Sequence, residues 1–512
     1  MSFALTIPEL LENIFLHADQ VSVLRSLFVC KQWYIIGRSV LWRNVEGPKH
    51  FRGLVLLLGR LLGFDDDETD TTQVAFVRYP QAVAWSRFEK HAHCVRVMSL
   101  KDLQKYREVF HVMAEAKPSF ALFPNLRTLK YTATHEDIQH CIHFLHSNVK
   151  RFIFSTTGPP NYPPQKKQLY YDHLRFLVDA IPRMSAIQHI EFIIDSSSND
   201  ITIDRFVGVI KHIPTLESVV LPRYTLTASI LAEFASLPRL SILQTQSGAE
   251  GSWTASDPFE PDLPPDSFPA LKKLTLSATP LNVARFLSQH PVAARLHTLA
   301  LDLDEVEPEG LPTLLHTVAS RCTALCAISI ERRGSNSFEL NWDSIIPPLT
   351  LNSFAPILRR AALTDIKIEH EGLFRFTPAE LNDFAGRIPH VERLVLHGLP
   401  TSHLSEIRLP DLLVFARRCP ALTTLGLVID ASKVDDLPSV NLPEFKSLRC
   451  LDLGGSYIGS DTDSVSFFLA RICPLGCKLE TWENQEWRPV IDVVPLLVKM
   501  RVFHSGHPTE KT

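Results

Sequence analysis

The chain has 512 residues, 45% of them hydrophobic and 21% charged, with a net charge of −4 at pH 7. That length exceeds what one compact core holds, so several domains or an elongated repeat array is expected. The composition is that of a folded soluble protein, and the small net charge argues against a chain-wide pull toward nucleic acid or an anionic membrane. The nine cysteines, an odd number scattered along the chain, do not read as a disulfide framework, and they point to a reducing compartment.

The first stretch reads as three short helices. Ile7, Leu10, Leu11, Ile14 and Phe15 fall at i, i+3, i+4, i+7 and i+8 and make one apolar stripe, with Pro8 suited to the first helical turn. Val21, Leu24, Leu27 and Phe28 form a second set, and Cys30, Trp33, Tyr34, Gly37 and Leu41 a third. So few residues cannot bury enough surface to be stable alone, so their surplus apolar face must pack on the rest of the protein or on a partner.

The order "IPELLENIF", "VCKQW", "LW" followed by Arg43 and Val45 resembles the F-box, the helical module by which substrate receptors dock onto the Skp adaptor of a cullin-based ubiquitin ligase. The resemblance spans about residues 5 to 45; it departs in the middle helix, "DQVSVLRSLF", which is less leucine-rich than in many members. It implies that Ile7, Pro8, Leu10, Leu11, Ile14, Phe15, Leu24, Val29, Cys30 and Trp33 face the adaptor or brace the helices.

The N-terminal stretch carries Glu9 and Glu12 and no leading basic run, so it reads poorly as a secretory signal. "GLVLLLGRLLGF" from Gly53 is broken by Arg60 and is too short to span a bilayer. Cytosol or nucleus is the expected location. An acidic run, "DDDETD" at 65 to 70, reads as a solvated loop.

From Val95 onward one unit keeps returning. "VRVMSL" at Val95, "LRTLKY" at Leu126, "VKRFIF" at Val149, "IQHIEF" at Ile187, "LKKLTL" at Leu271, "LTDIKI" at Leu363, "LRCLDL" at Leu448, "LETWEN" at Leu479 and others between follow apolar-x-x-apolar-x-apolar. Their intervals run from roughly 23 to 38 residues and average about 29, a period that marks a solenoid. Alternation at the fourth and sixth positions predicts a short strand with one buried face. Lead-ins such as "FPNL", "IPTL" and "IPHV" end the preceding helix, because proline cannot continue it and favours extended geometry in the residue before it. Between strands, "HEDIQHCIHFLH", "YYDHLRFLVDAI" and "TDSVSFFLARIC" have helical spacing.

This looks like the leucine-rich-repeat family over about residues 92 to 505. The family often places Asn or Cys after the strand; here Thr279, Asp430 and Ser456 stand there, so irregular repeats are expected. The fold class is therefore read as α/β: a three-helix F-box (1–45), a linker or capping segment (46–91), a solenoid (92–505) with parallel strands on the concave and helices on the convex side, and a tail (506–512). "GPPNYPPQKK" from Gly158, "SGAEGSWTASDPFEPDLPPDS" from Ser247 and "ERRGSNSFELNWDSIIPP" from Glu331 read as projecting loops, with Trp253 and Trp342 as possible anchors.

Near-motifs for chemistry fail on spacing. His135, Glu136 and His140 miss the zincin pattern by one position, although His140, His143 and His146 share a helical side. "GGSYIGSD" from Gly454 lacks the lysine of a phosphate loop and the closing glycine of a nucleophile elbow. Cys322/Cys326 and Cys473/Cys477 are not C-x-x-C pairs. No catalytic residue, metal or cofactor is expected, and the chain is read as a non-enzyme.

Strand positions between the apolar ones should line the inner face: Thr128, Lys130, Arg151, His189, Glu191, Lys273, Asp302, Glu331, Asp365, Lys367, Glu369, Arg393, His397 and Asp452. Of these, Asp302, Glu331, Asp365, Lys367, Glu369, Arg393 and His397 are the expected target-binding set, with a basic protein segment as their occupant. The expected function is the substrate-recognition subunit of a Skp–cullin ubiquitin ligase, with a protein substrate and neither a nucleic-acid nor a membrane partner. A leucine-rich-repeat scaffold that recruits no ligase is the alternative.

Overall fold

A computed structural model describes residues 7–506 apart from 64–72, 102, 117–120, 135–136, 157–163, 195–199, 223–224, 247–258, 260, 304–309, 333–348, 361, 371–373, 399–404, 435–436, 439–441 and 483. The chain forms two compact units, Met1–Thr254 with Phe268–Ala270, and Ala255–Ser267 with Leu271–Thr512.

The first unit opens with helices α1 (Pro8–His17), α2 (Gln20–Ser26) and α3 (Lys31–Leu41), followed by strand β1 (Asn44–Glu46). A small antiparallel pair, β2 (Leu61–Leu62) and β3 (Ala75–Phe76), comes next. Then come β4 (Val97–Lys101), β5 (Thr128–Ala133), β6 (Arg151–Thr156), β7 (His189–Ile194), β8 (Ser218–Leu221) and β9 (Ile242–Thr245). Their sheet runs β1-β4-β5-β6-β7-β8-β9 with every pair parallel.

In the second unit, β10 (Lys273–Ala278), β11 (Thr298–Leu303), β12 (Ala327–Arg332), β13 (Asp365–His370), β14 (Arg393–Gly398) and β15 (Thr424–Leu427) are followed by two-residue β16 (Asp430–Ala431), β17 (Cys450–Asp452), two-residue β18 (Tyr457–Ile458) and β19 (Lys478–Glu480). The main sheet, β10 to β15 and then β17 and β19, is again parallel throughout, and β16 pairs with β18 beside it. Sequential parallel neighbours need a crossover, and helices such as Ala82–Ala92, Pro164–Ala180, Pro280–Gln289 and Thr462–Ile472 supply it.

One backbone device repeats along both sheets. The carbonyl of each unit's second residue accepts two amides from the next strand: Arg43 takes Arg96 N (2.8 Å) and Val97 N (3.0 Å), Arg96 takes Arg127 N and Thr128 N, and Thr423 takes Arg449 N and Cys450 N. The rung geometry at β1 is thus that of the later repeats, and the sheet starts at Asn44 rather than near residue 92. The fourth position fills the core in register, through Val45, Met98, Leu129, Phe152 and Ile190 in the first unit and Leu274, Leu299, Ile328, Ile366 and Leu394 in the second. Sixth-position Phe154 and Phe192 stack at 5.3 Å, and Phe192 lies 4.5 Å from Phe206, so the first core is aromatic where the second is mostly leucine and isoleucine.

Two readings shift. Leu479 pairs with Leu451, so it fills the fourth position of the last rung, not the first as "LETWEN" suggested; a turn through Gly476, at φ +84°, delivers the chain three residues out of that phase. Ile138–Phe144 is a tighter 3-10 helix. Thr279, Asp430 and Ser456 do bond turn backbone: Thr279 caps the next helix through Asn282 N, Asp430 accepts from Ser432 N (2.9 Å), and buried Ser456 accepts from Ile429 N (2.8 Å).

Candidate functional site

Helices α1 to α3 build a small core of their own. Leu11, Phe15 and Val23 are buried, with Trp33, Ile36, Val40 and Leu41 packed against them, and Phe15 meets Trp33 edge-on at 5.4 Å. A Cβ on Gly37 would stand 2.6 Å from Leu27 Cδ2 and 3.5 Å from the Phe15 ring, so this glycine is what lets α3 approach the other two helices. Asp19 caps α2 through Ser22 N (2.9 Å), and Arg43 reaches Glu12 at 3.2 Å.

This core leaves much apolar surface outside. Ile7, Leu10, Ile14, Leu24 and Val29 are exposed, as are Pro8 and Cys30, while Trp33 is half-buried. Leu11 and Phe15, expected among the adaptor-facing positions, turn inward instead: in the observed i, i+4 pair they are the residues that pack on Val23, and they offer no contact surface. Also exposed, outside the adaptor-facing set, are Leu16 and Ile35, together with Val21, Tyr34 and above all Phe28, 90% exposed, which the sequence places in the second and third apolar sets. Phe28 follows the last turn of α2, and its lack of any core neighbour is visible only once the helices are placed.

On the second unit, the expected target-binding set is brought onto one face but is not uniformly presented. Asp302 and His397 are buried, so neither is an open contact. Ser277 Oγ donates to Asp302 at 3.5 Å. His397 Nε2 lies 3.7 Å from an Asp452 carboxylate oxygen, and the ring meets Trp482 edge-on at 5.1 Å. Burial pushes the His397 pKa down, against the pull of Asp452.

Lys367 is clamped between Glu331 (2.7 Å) and Glu369 (3.0 Å). Burial acts to lower its pKa, but the two carboxylates outweigh it and the pKa is raised. Arg393 lies 3.9 Å from Asp365, whose pKa burial raises against the opposing Arg393 and Lys367. The stretch read as an acidic ribbon awaiting a basic partner therefore neutralises itself laterally. Lys367 is held by one carboxylate of the preceding strand and one of its own, and Asp365 faces Arg393 across the next pair of strands.

On the first unit, Thr128, Lys130, Arg151, His189 and Glu191 do share the open face, in register across β5 to β7. Beyond them lies a shallow depression of about 520 Å3 whose lining includes Arg151, Ile153, His189, Val220 and Ile242.

His140 and His143 stack on Phe110 at 5.0 and 5.9 Å rather than converging on a common point. Burial, then the charge of His143, lowers the His140 pKa to about 4. Among the described residues no group of three or more His, Cys, Asp or Glu is placed to hold a metal, and no helix is long and apolar enough to cross a membrane. In "GGSYIGSD", Gly454 N bonds Asp452 and Tyr457 N bonds Ile429 O, so these amides are spent inside the fold. Trp253, Trp342, His135, Glu136, the acidic run 65–70 and most of the three long interruptions lie outside the described residues.

No protein-family profile matches the chain, and no curated protein does. Among solved structures, a protein from Bacteroides fragilis matches 44% of this chain at 16% identity with a TM-score of 0.29, and the chain spans 64% of that protein's length.

Proposed function

We propose that the chain is the substrate-recognition subunit of a Skp–cullin ubiquitin ligase. Helices α1 to α3 act as its F-box, and the strand-helix units act as a leucine-rich-repeat-like array that holds the target. The observation that carries the reading is the pairing of a closed small core, Leu11, Phe15 and Val23, with an uncovered apolar surface formed by Leu10, Ile14, Leu24, Phe28 and Val29. Large apolar side chains left exposed in such number on so small a module are what a protein contact covers. In this reading the chain does no chemistry. It works in the cytosol or nucleus by holding its target beside a conjugating enzyme and raising the effective concentration of the reacting groups.

The test is co-purification of the full chain with the Skp adaptor, compared with a Leu10→Asp/Ile14→Asp/Leu24→Asp variant. All three side chains are exposed, so the thermal midpoint should not move while adaptor capture is lost. An intact chain that captures no adaptor, or a variant that captures it undiminished, would leave the scaffold reading in its place.

A further inference from the structure

The first four rungs of the first unit stack like charges. Arg43, Arg96, Arg127 and Lys150 occupy the same second position, each joined to the next through the backbone: Arg96 N to Arg43 O, Arg127 N to Arg96 O, and Lys150 N to Arg127 O, all at 2.8 Å. Lys101, Lys130 and Arg151 stand on the same strands, all exposed. Arg43 pairs with Glu12, and Arg96 donates to the His93 carbonyl at 2.7 Å. Among the described residues no carboxylate pairs with Lys101, Arg127, Lys130, Lys150 or Arg151. Burial, followed by the charges of Arg127 and Arg43, lowers the Arg96 pKa.

Like charges on adjacent strands destabilise a sheet, so the arrangement costs the fold stability that nothing in its own rows returns. Continuous with it, past Arg151, is the depression of about 520 Å3, whose lining sets Ile153, Val220 and Ile242, at open-face positions where alternation alone would place polar groups, among polar His189, Glu191 and Gln244.

We infer that the open face of the first unit, together with the strand-entry edge beside it, docks an extended acidic polypeptide segment that also carries an apolar side chain. Its carboxylates lie along Arg127, Lys130, Lys150 and Arg151, all exposed, and its apolar residue seats over Ile153, Val220 and Ile242. The arginine forks suit carboxylates. A nucleic acid fits less well. The lining of the depression offers no exposed Phe, Tyr or Trp for a base to stack on, since Phe152 is turned into the core. The inference does not depend on adaptor binding: a chain that captured no Skp adaptor would still hold the segment.

The probe is a fluorescein-labelled peptide in which a run of Asp and Glu is followed by Leu and Phe, titrated with the full chain and read by fluorescence anisotropy. Binding should weaken as ionic strength rises. It should fall about tenfold in Arg127→Glu/Lys150→Glu, and comparably in Lys130→Glu/Arg151→Glu, a second exposed pair that guards against a folding artefact in the first. Replacing Leu and Phe by Ser in the peptide should weaken it severalfold. The inference is overturned by any of three results: no binding at low salt, binding by both charge-reversal variants as tight as that of the unaltered chain, or a single-stranded oligonucleotide of equal charge binding better than the peptide.

Discussion

The two units share a rung and handle charge in opposite ways. In the second, cations meet carboxylates within and between strands: Lys367 pairs with Glu331 of the preceding strand and with Glu369 of its own, and Arg393 lies near Asp365 on the neighbouring strand. In the first, neighbouring rungs repeat sign from Arg43 to Lys150, and inside the unit Asp137 and His140 are buried without an ion-pair partner among the described residues. A parallel sheet in fixed register places equivalent positions about 4.8 Å apart, so a like-charged row such as Asp302 and Glu331 closes on itself only where another position along the strand supplies a counter-ion, as Lys367 does. Charge content alone does not decide which face stays open: the stretch that looks most acidic is the one least available.

The largest consequence concerns Asp137 and His140. Burial raises the Asp137 pKa to about 6, against hydrogen bonds from Thr134 and the Leu103 amide, and lowers that of His140 to about 4. The raised carboxylate contributes stability that is complete below its unfolded value of 3.8 and is lost as pH climbs through about 6. The lowered imidazole contributes stability that is complete above 6.5 and is lost as pH falls through about 4. Over one window the two slopes oppose each other, each worth roughly 3 kcal/mol. Relative to wild type, Asp137→Asn should therefore gain stability, and His140→Phe should lose it, as pH rises from about 4 to about 6. Urea unfolding across that range checks this, and parallel profiles for all three proteins would refute it.

A smaller effect tests how tightly the second unit closes. A Cβ on Gly426 would come 2.8 Å from Val395 Cγ1 and 3.0 Å from His397 Nε2, and Gly454, at φ +50°, lets the next rung pass the same ring. The equivalent row of the first unit, Ser99, Lys130, Ile153, Glu191, Val220 and Gln244, has a side chain at every rung. Gly426→Ala should cost about 1 to 3 kcal/mol by forcing His397 off Asp452. A thermal midpoint equal to wild type would mean that the close approach is not needed.

Much of this was legible beforehand, and the illegible part has a physical cause. The apolar-x-x-apolar-x-apolar unit reports one buried face, so the strands fell where the pattern put them. It carries no information about which charges meet, because Glu331 and Lys367 are brought together by register across a whole repeat. It also missed the burial of Asp302 and His397, since alternation assumes an open face that Trp482 and the two glycines close around His397. Leu479 and Trp482 imitate the leading pair of a unit, and a single positive-φ turn at Gly476 chooses the other phase. In α1 the apolar stripe was plain, but a stripe does not say which of its members, Leu11 and Phe15 or Leu10 and Ile14, will face the other helices.

The smallest effect is the sharpest comparison, because it asks the same substitution of each face. Lys367→Met removes the cation from between Glu331 and Glu369, both about a quarter to a third exposed, and leaves two carboxylates facing each other in poor solvent. The cost should be about 1 kcal/mol, and it should largely vanish in a background of Glu331→Gln and Glu369→Gln, where nothing is left to repel. Lys150→Met removes an exposed charge from a line of like charges, so stability should stay within about 0.5 kcal/mol of wild type and shift upward. Added salt should narrow the difference at Lys150, where solvent screens the neighbours, more than at Lys367, where it does not. If denaturant titration finds both substitutions equally costly, the two faces differ only in which charges they carry, and the first unit has no reserve of unspent attraction to offer a partner.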